Sequence, residues 1–274
     1  ARPSSASAHH AGPGGGMNAP PPRRVAIMQP YLFPYLGYFQ LIAAVDEFWL
    51  LDTVQFIRRG WMNRNHLLVN GNKMLFTVPV TSGPRDQPIL EKSYHRDEAI
   101  NALDKLASTL RTAYGKAPHR DTALAIVEDF AQHLARAPQP ADFTEATEVA
   151  LQSCLDAIGL TTPIRRISSL GIDERHTGQK RIIAACHAIG AQEYVNMIGG
   201  SDLYNRESFN AAGLKLLFLR ASLPEYDQGT RSFVPGLSIL DVLAHAQPEE
   251  VRKMLDAAQV ESAPLTAPLA KIVL

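Results

Sequence analysis

The stretch Arg24-Val-Ala-Ile-Met-Gln-Pro-Tyr-Leu-Phe-Pro-Tyr-Leu-Gly-Tyr-Phe-Gln-Leu-Ile-Ala-Ala-Val45, followed by Glu47-Phe-Trp-Leu-Leu-Asp52, decides the fold class. Arg24 to Met28 is a short apolar run closed by Gln29-Pro30, the pattern of a buried strand. Pro30, Pro34 and Gly37 punctuate a turn, and Tyr38 to Val45 continues as a helix. Glu47 to Asp52 is a second compact apolar run. Strand, turn, helix and strand in that order open a parallel sheet.

His66 to Val69 and Met74 to Val80 are β-rich runs separated by Asn70-Gly71-Asn72, which predicts a hairpin. Residues 96–160 read as helices throughout. Arg96 to Tyr114 places Ile100, Leu103, Leu106 and Leu110 at helical spacing, with Gly115 as its stop. His119 to Ala135 and Phe143 to Ile158 follow, the latter with Asp142 as N-cap and Gly159 as terminator. The last third alternates again. Strands are expected at Ile164 to Ser169, Glu193 to Ile198 and Leu214 to Leu219. Helices are expected at Thr177 to Ile189, Leu203 to Ala212, Ser238 to His245 and Pro248 to Ala258. The expected fold is α/β: a mostly parallel Rossmann-like sheet with an inserted β-hairpin and a helical insertion.

This divides the chain into a disordered leader (1–22), an N-terminal α/β half with the hairpin (23–95), the helical insertion (96–160), a C-terminal α/β half (161–260) and a tail (261–274). The leader is rich in Ala, Pro, Gly and Ser and ends in Pro20-Pro21-Pro22, too little apolar surface to offset ordering entropy. Met17 follows its Gly-rich run, a place where the natural chain could start. His9-His10 within it is an isolated pair and is not read as a metal site.

Lys plus Arg equals Asp plus Glu, 27 each, so the chain lacks the basic excess of a protein held by phosphate backbones. No nucleic-acid partner is expected. Arg58, Arg59 and Arg64 still form a local basic cluster. Cys154 and Cys186 are too few for a disulfide framework and sit in apolar helical patterns, so they are read as structural thiols in a reducing, cytoplasmic compartment. No apolar run approaches the roughly 20 residues of a membrane span, and no apolar signal core opens the chain. The histidines form no two-His helical motif. No metal and no other cofactor is expected.

Three segments concentrate directional chemistry. The first is Gln29 to Gln40, after the first strand, where open α/β sheets bind ligands. Gln29, Tyr31, Pro34, Gly37 and Tyr38 are read there as substrate-binding, with the prolines stiffening the loop and Gly37 admitting close backbone approach. A rigid packing turn is the plainer alternative. The layout is similar to that of nucleotidylyltransferases at Pro34, Leu36, Gly37 and Tyr38, but the paired histidines of that chemistry are missing. The second segment is Asp52 to Asn65. Asp52, Asn63, Arg64 and Asn65 are read as catalytic, and Gln55 and Trp61 as substrate-binding, against the alternative of a polar turn. The two segments are expected to face one cleft. The third is Thr177-Gly178 with Arg181, at a helix start suited to an anion, together with Asn196, Gly199 and Gly200 after a later strand. An N-cap with solvated cations is the alternative there.

Residues 25–80 resemble the N-terminal half of WbqC-like proteins, through Gln29-Pro-Tyr-x-x-Pro-Tyr-x-Gly-Tyr-Phe-Gln-Leu-Ile42 and Trp61-x-Asn-Arg-Asn65. The resemblance continues through Tyr114-Gly-Lys-Ala-Pro118, Thr177-Gly-x-x-Arg181, Tyr194-Val-Asn-Met-Ile-Gly-Gly-Ser-Asp-Leu-Tyr204 and Phe233-Val-Pro-Gly-Leu-Ser-Ile-Leu-Asp241, covering nearly all of residues 24–245. Where an aromatic pair is expected after Pro118, this chain has His119-Arg120. The resemblance implies a bacterial, cytoplasmic protein of O-antigen or similar polysaccharide biosynthesis. It implies a transferase that moves an aminoacyl or acyl group onto an amino sugar. Its partners would be a small-molecule substrate such as a nucleotide-linked amino sugar, and an acyl or peptidyl carrier protein as donor. On that scheme Asp52 is the base or orients the amine, Asn63, Arg64 and Asn65 stabilise an oxyanion, and Arg181 holds an anionic group. The alternative is a non-catalytic nucleotide-sugar-binding or assembly protein with a nucleotidylyltransferase-like fold.

Overall fold

A computed structural model describes residues 22–262, so the expected leader, but for Pro22, and all but the first residues of the expected tail lie outside the described residues. Strands β1 (Arg24–Met28) and β2 (Glu47–Leu50) flank helix α1 (Leu36–Ala43). The hairpin β3 (Arg64–Val69) and β4 (Asn72–Thr77) turns through Asn70 and Gly71, both at positive φ, as a two-residue primed turn requires. A two-residue strand β5 (Ser93–Tyr94) leads into α2 (Arg96–Ala113) and α3 (Arg120–Arg136). Strand β6 (Ala141–Asp142) pairs back on β5 before α4 (Phe143–Ile158). The Asp142 side chain caps α4 by accepting from the Glu145 N–H at 2.6 Å, and Gly159 ends it at φ 79°. Then come β7 (Ile164–Arg166), α5 (Gly178–Ile189), β8 (Glu193–Met197), α6 (Arg206–Ala211), β9 (Lys215–Arg220), α7 (Ile239–His245), α8 (Pro248–Leu255) and β10 (Gln259–Ser262).

The central sheet has six strands in the order β10-β9-β8-β1-β2-β7, parallel except for β10 against β9. Both faces are covered, as parallel sheets require. The period of two sorts the side chains. Ala26, Phe48, Leu50, Val195 and Leu217 face a large core built with α1, the hairpin, α2–α4, α7 and α8. Val25, Ile27, Trp49, Tyr194 and Leu216 face a smaller core with α5 and α6. The chain leaves β1 toward β2 on one side, while β8 lies on the other. The carboxyl ends of β1 and β8 therefore open a crevice at a topological switch point. No helix among the described residues is long and apolar enough to cross a membrane.

Two expected elements are shorter than their sequence pattern. The strand at 164–169 stops at Arg166, because Ser168 gives its N–H and hydroxyl to Asp52 instead of to the ladder. The helix expected from Leu203 begins only at Arg206, where the Asn205 side chain caps it by accepting from the Ser208 N–H.

Candidate functional site

At the crevice, Met28 and Met197 end β1 and β8 on the α1 face of the sheet and form the floor of a cleft of about 540 Å³. Tyr31, Tyr35 and Tyr38 supply one wall, Trp61, Asn65, His66 and Lys73 another, and Leu223, Pro235 and Gly236 a third. Loop 29–40 and the end of segment 52–65 thus line one cleft.

The first wall is held from several directions. The Tyr38 hydroxyl donates to the Gln29 carbonyl at 2.8 Å, and the Tyr31 hydroxyl to Gln29 Oε1 at 3.2 Å. The Tyr31 and Tyr38 rings are 5.6 Å apart. Burial raises the pKa of all three tyrosines, Tyr35 to about 12, so they stay neutral donors at ordinary pH. A side chain at Gly37 would meet the Tyr35 ring at 2.4 Å, so glycine there lets that ring lie across the start of α1. Phe33 is fully buried at φ 44°, a conformation that L side chains rarely adopt. Its carbonyl accepts from Asn65 Nδ2 at 2.9 Å and from Ser238 Oγ at 2.8 Å. The Leu32 N–H reaches the Met62 carbonyl, the Ile239 N–H reaches Pro34, and the Ser238 N–H reaches His66.

In the second wall, the His66 ring lies 5.3 Å from Trp61, and the Arg64 guanidinium lies 5.8 Å from the Trp61 ring centroid. Partial burial, then Lys73 and Arg64, lower the His66 pKa from its ordinary value. The imidazole is therefore neutral near pH 7. Arg64 commits its Nε to the Gly60 carbonyl at 2.8 Å.

The third wall hangs on Asp241, fully buried at the start of α7. One carboxylate oxygen accepts from the Tyr114 hydroxyl at 2.5 Å. The other accepts from the Tyr226 hydroxyl and from Gln228 Nε2 at 3.2 Å. Tyr114 in turn accepts from the Leu68 N–H of the hairpin at 2.8 Å. Burial first and Asp241 second push both tyrosine pKa values up. Gln40, also buried, fastens α1 to the same loop through Ser222 and to α8 through the Met254 carbonyl.

The remaining expected residues sit elsewhere. Asp52 is buried, but both its oxygens are taken by Ser168, the N–H at 3.0 Å and the hydroxyl at 2.5 Å. Asn63 Nδ2 donates to the Val78 carbonyl at 2.8 Å, and Gln55 Nε2 to the Arg85 carbonyl at 2.6 Å. Arg181 donates to the His176 and Thr53 carbonyls at 2.8 and 2.7 Å, tying α5 to the segment after β2. Thr177 and Gly178 are exposed, and the Thr177 side chain makes no capping bond. Asn196 points to the α5 face, where Nδ2 donates to the Tyr194 hydroxyl, and Gly199 and Gly200 follow it in a short 3-10 turn. This third segment thus lies across the sheet from the cleft.

Residues 29–253 match the WbqC-like protein family. The chain belongs to that family. It is similar to the uncharacterized protein Rv1507c of Mycobacterium tuberculosis (strain H37Rv), with 26% identity over 226 residues, 81% of this chain and 93% of that protein. No solved structure matches.

In this WbqC-like chain four of the motifs that carry the family resemblance meet around the cleft, Gln29–Ile42, Trp61–Asn65, Tyr114–Pro118 through Tyr114, and Phe233–Asp241, while Thr177–Arg181 does not. The sequence reading missed His66, Lys73 and the third wall. His66 and Lys73 look like ordinary hairpin alternation. The signal for Asp241 and Ser238 was present in the motif ending at Asp241, but nothing local told which loop they would hold.

Proposed function

We propose that this WbqC-like protein is a transferase that forms an amide, moving an aminoacyl or acyl group onto the amino group of an amino sugar in surface-glycan or related biosynthesis. The observation that carries this reading is His66: a neutral imidazole in an aromatic cleft at the sheet's switch point, flanked by cations and with no carboxylate among the lining residues. A neutral imidazole can take the proton that the amine loses as it attacks, whereas both oxygens of the Asp52 carboxylate already accept from Ser168. The amine nitrogen attacks the carbonyl of a carrier-bound thioester. The C–N bond forms, the C–S bond breaks, His66 takes the amine proton, and the departing thiolate receives it. Arg64, whose guanidinium is anchored through Nε on Gly60 and packs by Trp61 of the cleft wall, and the neutral Tyr35 hydroxyl stabilise the oxyanion. Asp52, Asn63 and Asn65 act by positioning: Asp52 holds the Ser168 turn, Asn63 the start of the hairpin, and Asn65 the Phe33 carbonyl.

The test offers amino sugars with acyl- and aminoacyl-loaded carrier proteins and reads amide products by mass spectrometry. Turnover by the parent protein and its loss in a folded His66→Gln variant support the reading. Turnover that survives His66→Gln sinks the base assignment. A second reading, a non-catalytic nucleotide-sugar-binding or assembly protein, is favoured by one observation. The buried carboxylates Asp52, Glu193 and Asp241 are all engaged by protein donors. Sugar binding without turnover across every pairing would decide for it.

A further inference from the structure

The segment that supplies the second wall of the cleft carries charge of one sign. Residues 53–85 hold Arg58, Arg59, Arg64, Lys73 and Arg85 and no Asp or Glu, in a chain whose acids and bases balance. Other cations of the sheet are paired: Arg23 with Glu47, Arg24 and Lys215 with Glu193, Arg166 with Glu148. Arg58, Arg59, Arg64 and Lys73 make no ion pair among the described residues. Within the hairpin, Arg64, His66 and Leu68 share one face, and Lys73 stands across from Leu68. Arg64, His66 and Lys73 therefore form a row, advancing roughly 7 Å per alternate residue. Both cations act on the imidazole between them, so their proximity is electrostatic as well as geometric. Like charges gathered without a counter-charge repel, and an anion relieves that repulsion. Trp61 covers the Arg64 end of the row, and the Tyr31 and Tyr38 faces lie deeper in the same cleft.

We propose that this row is a diphosphate site: a sugar diphosphate ester binds with its phosphates on Arg64 and Lys73 and its sugar against Tyr31 and Tyr38. The inference rests on the amino-sugar reading above and specifies how that substrate is held. Two cations flanking an imidazole match the several charges of a diphosphate, which a single carboxylate would leave half-neutralised. Arg64 commits only Nε to the backbone, leaving its terminal nitrogens for a paired phosphate contact. Lys73 is exposed on β4, a point charge at the mouth. Nucleotide-linked and polyprenyl-linked sugars both present this diphosphate.

The experiment is calorimetric titration of the full chain with uridine diphosphate, with geranyl diphosphate as a soluble polyprenyl analogue, and with uridine as the uncharged control. The diphosphates are expected to bind and uridine not to. Lys73→Ala should weaken binding about tenfold to hundredfold at unchanged melting temperature. Lys253→Ala, an exposed cation on α8, should leave it unchanged. The His66 ring titration, followed by NMR, should move upward when diphosphate is bound, which a merely structural lysine would not cause. Binding of both diphosphates, or of one alone, supports the site, and a single binder names the source. Failure of both to bind overturns it, as does binding indifferent to both Lys73→Ala and a folded Arg64→Gln. Amide formation on free glucosamine without diphosphate binding would sink this inference and spare the transferase reading. Diphosphate binding without amide formation would do the reverse.

Discussion

Arg64, His66 and Trp61 form one packed group, and each makes a distinct demand on its neighbours. Arg64→Lys keeps the charge but loses the planar fork and the Gly60 bond. The expected result is a roughly tenfold to hundredfold loss in ligand binding or turnover with little change in melting temperature. A variant silent in all three assays would remove Arg64 from the site. His66 gives a pH signature. Its folded pKa lies below its unfolded value of about 6.5, so the unfolded chain takes up the proton first. Its contribution to stability is thus complete above about pH 6.5 and shrinks as pH falls toward the folded pKa. Turnover that needs the neutral ring should likewise persist below pH 6.5. Comparing melting temperature against pH for the parent and His66→Gln isolates the term, and parallel curves would deny it. At this scale the sequence was informative about residue type and poor about commitment. Asp52 and Asn63 carry the right groups, but strand ends use them to satisfy a serine and a backbone carbonyl.

Loop 29–35 owes its shape to a backbone conformation that it does not favour. Phe33 at φ 44° keeps that conformation because Asn65 and Ser238 both hold its carbonyl. Ser238→Ala removes one of the two bonds from a fully buried position, which should cost about 1–3 kcal/mol. Chemical denaturation measures that cost, and a loss under a few tenths would mean that Asn65 alone suffices. Gly37→Ala should displace the Tyr35 ring and change ligand binding more than stability, checked by calorimetry beside a melting curve. The main elements were legible because their signals are local: the apolar runs of β1 and β2, the Asn70-Gly71 turn and the Asp142 and Gly159 caps are written in adjacent residues. β5, β6 and β10 were not, because two to four residues carry too little pattern and are strands only through their partners. The third wall was hidden for the same reason, since Asp241 meets Tyr114 across 127 positions of sequence.

Across the whole molecule, the sheet separates two cores, and the two cysteines fall on opposite sides of it. Cys154 packs in the large core and Cys186 in the small one, both buried, and burial pushes the Cys186 thiol up to about 12 and Cys154 higher still. Neither lines the cleft. Replacing both with Ala should therefore leave turnover measurable while lowering stability by about 1–3 kcal/mol. A folded double variant with no activity would contradict this. The sheet also has two borders, and they are finished differently. At one, β7 is three residues long and carries Arg165 and Arg166. At the other, β10 lies antiparallel along Lys215-Leu-Leu-Phe-Leu-Arg220. Without it, the backbone donors and acceptors of that apolar strand would stand open as a template for pairing with a second molecule. Cutting the chain after Leu255 should then yield self-association, seen by light scattering, before any large change in secondary structure. Those four residues serve less to hold one molecule together than to keep its neighbours from adding themselves to β9.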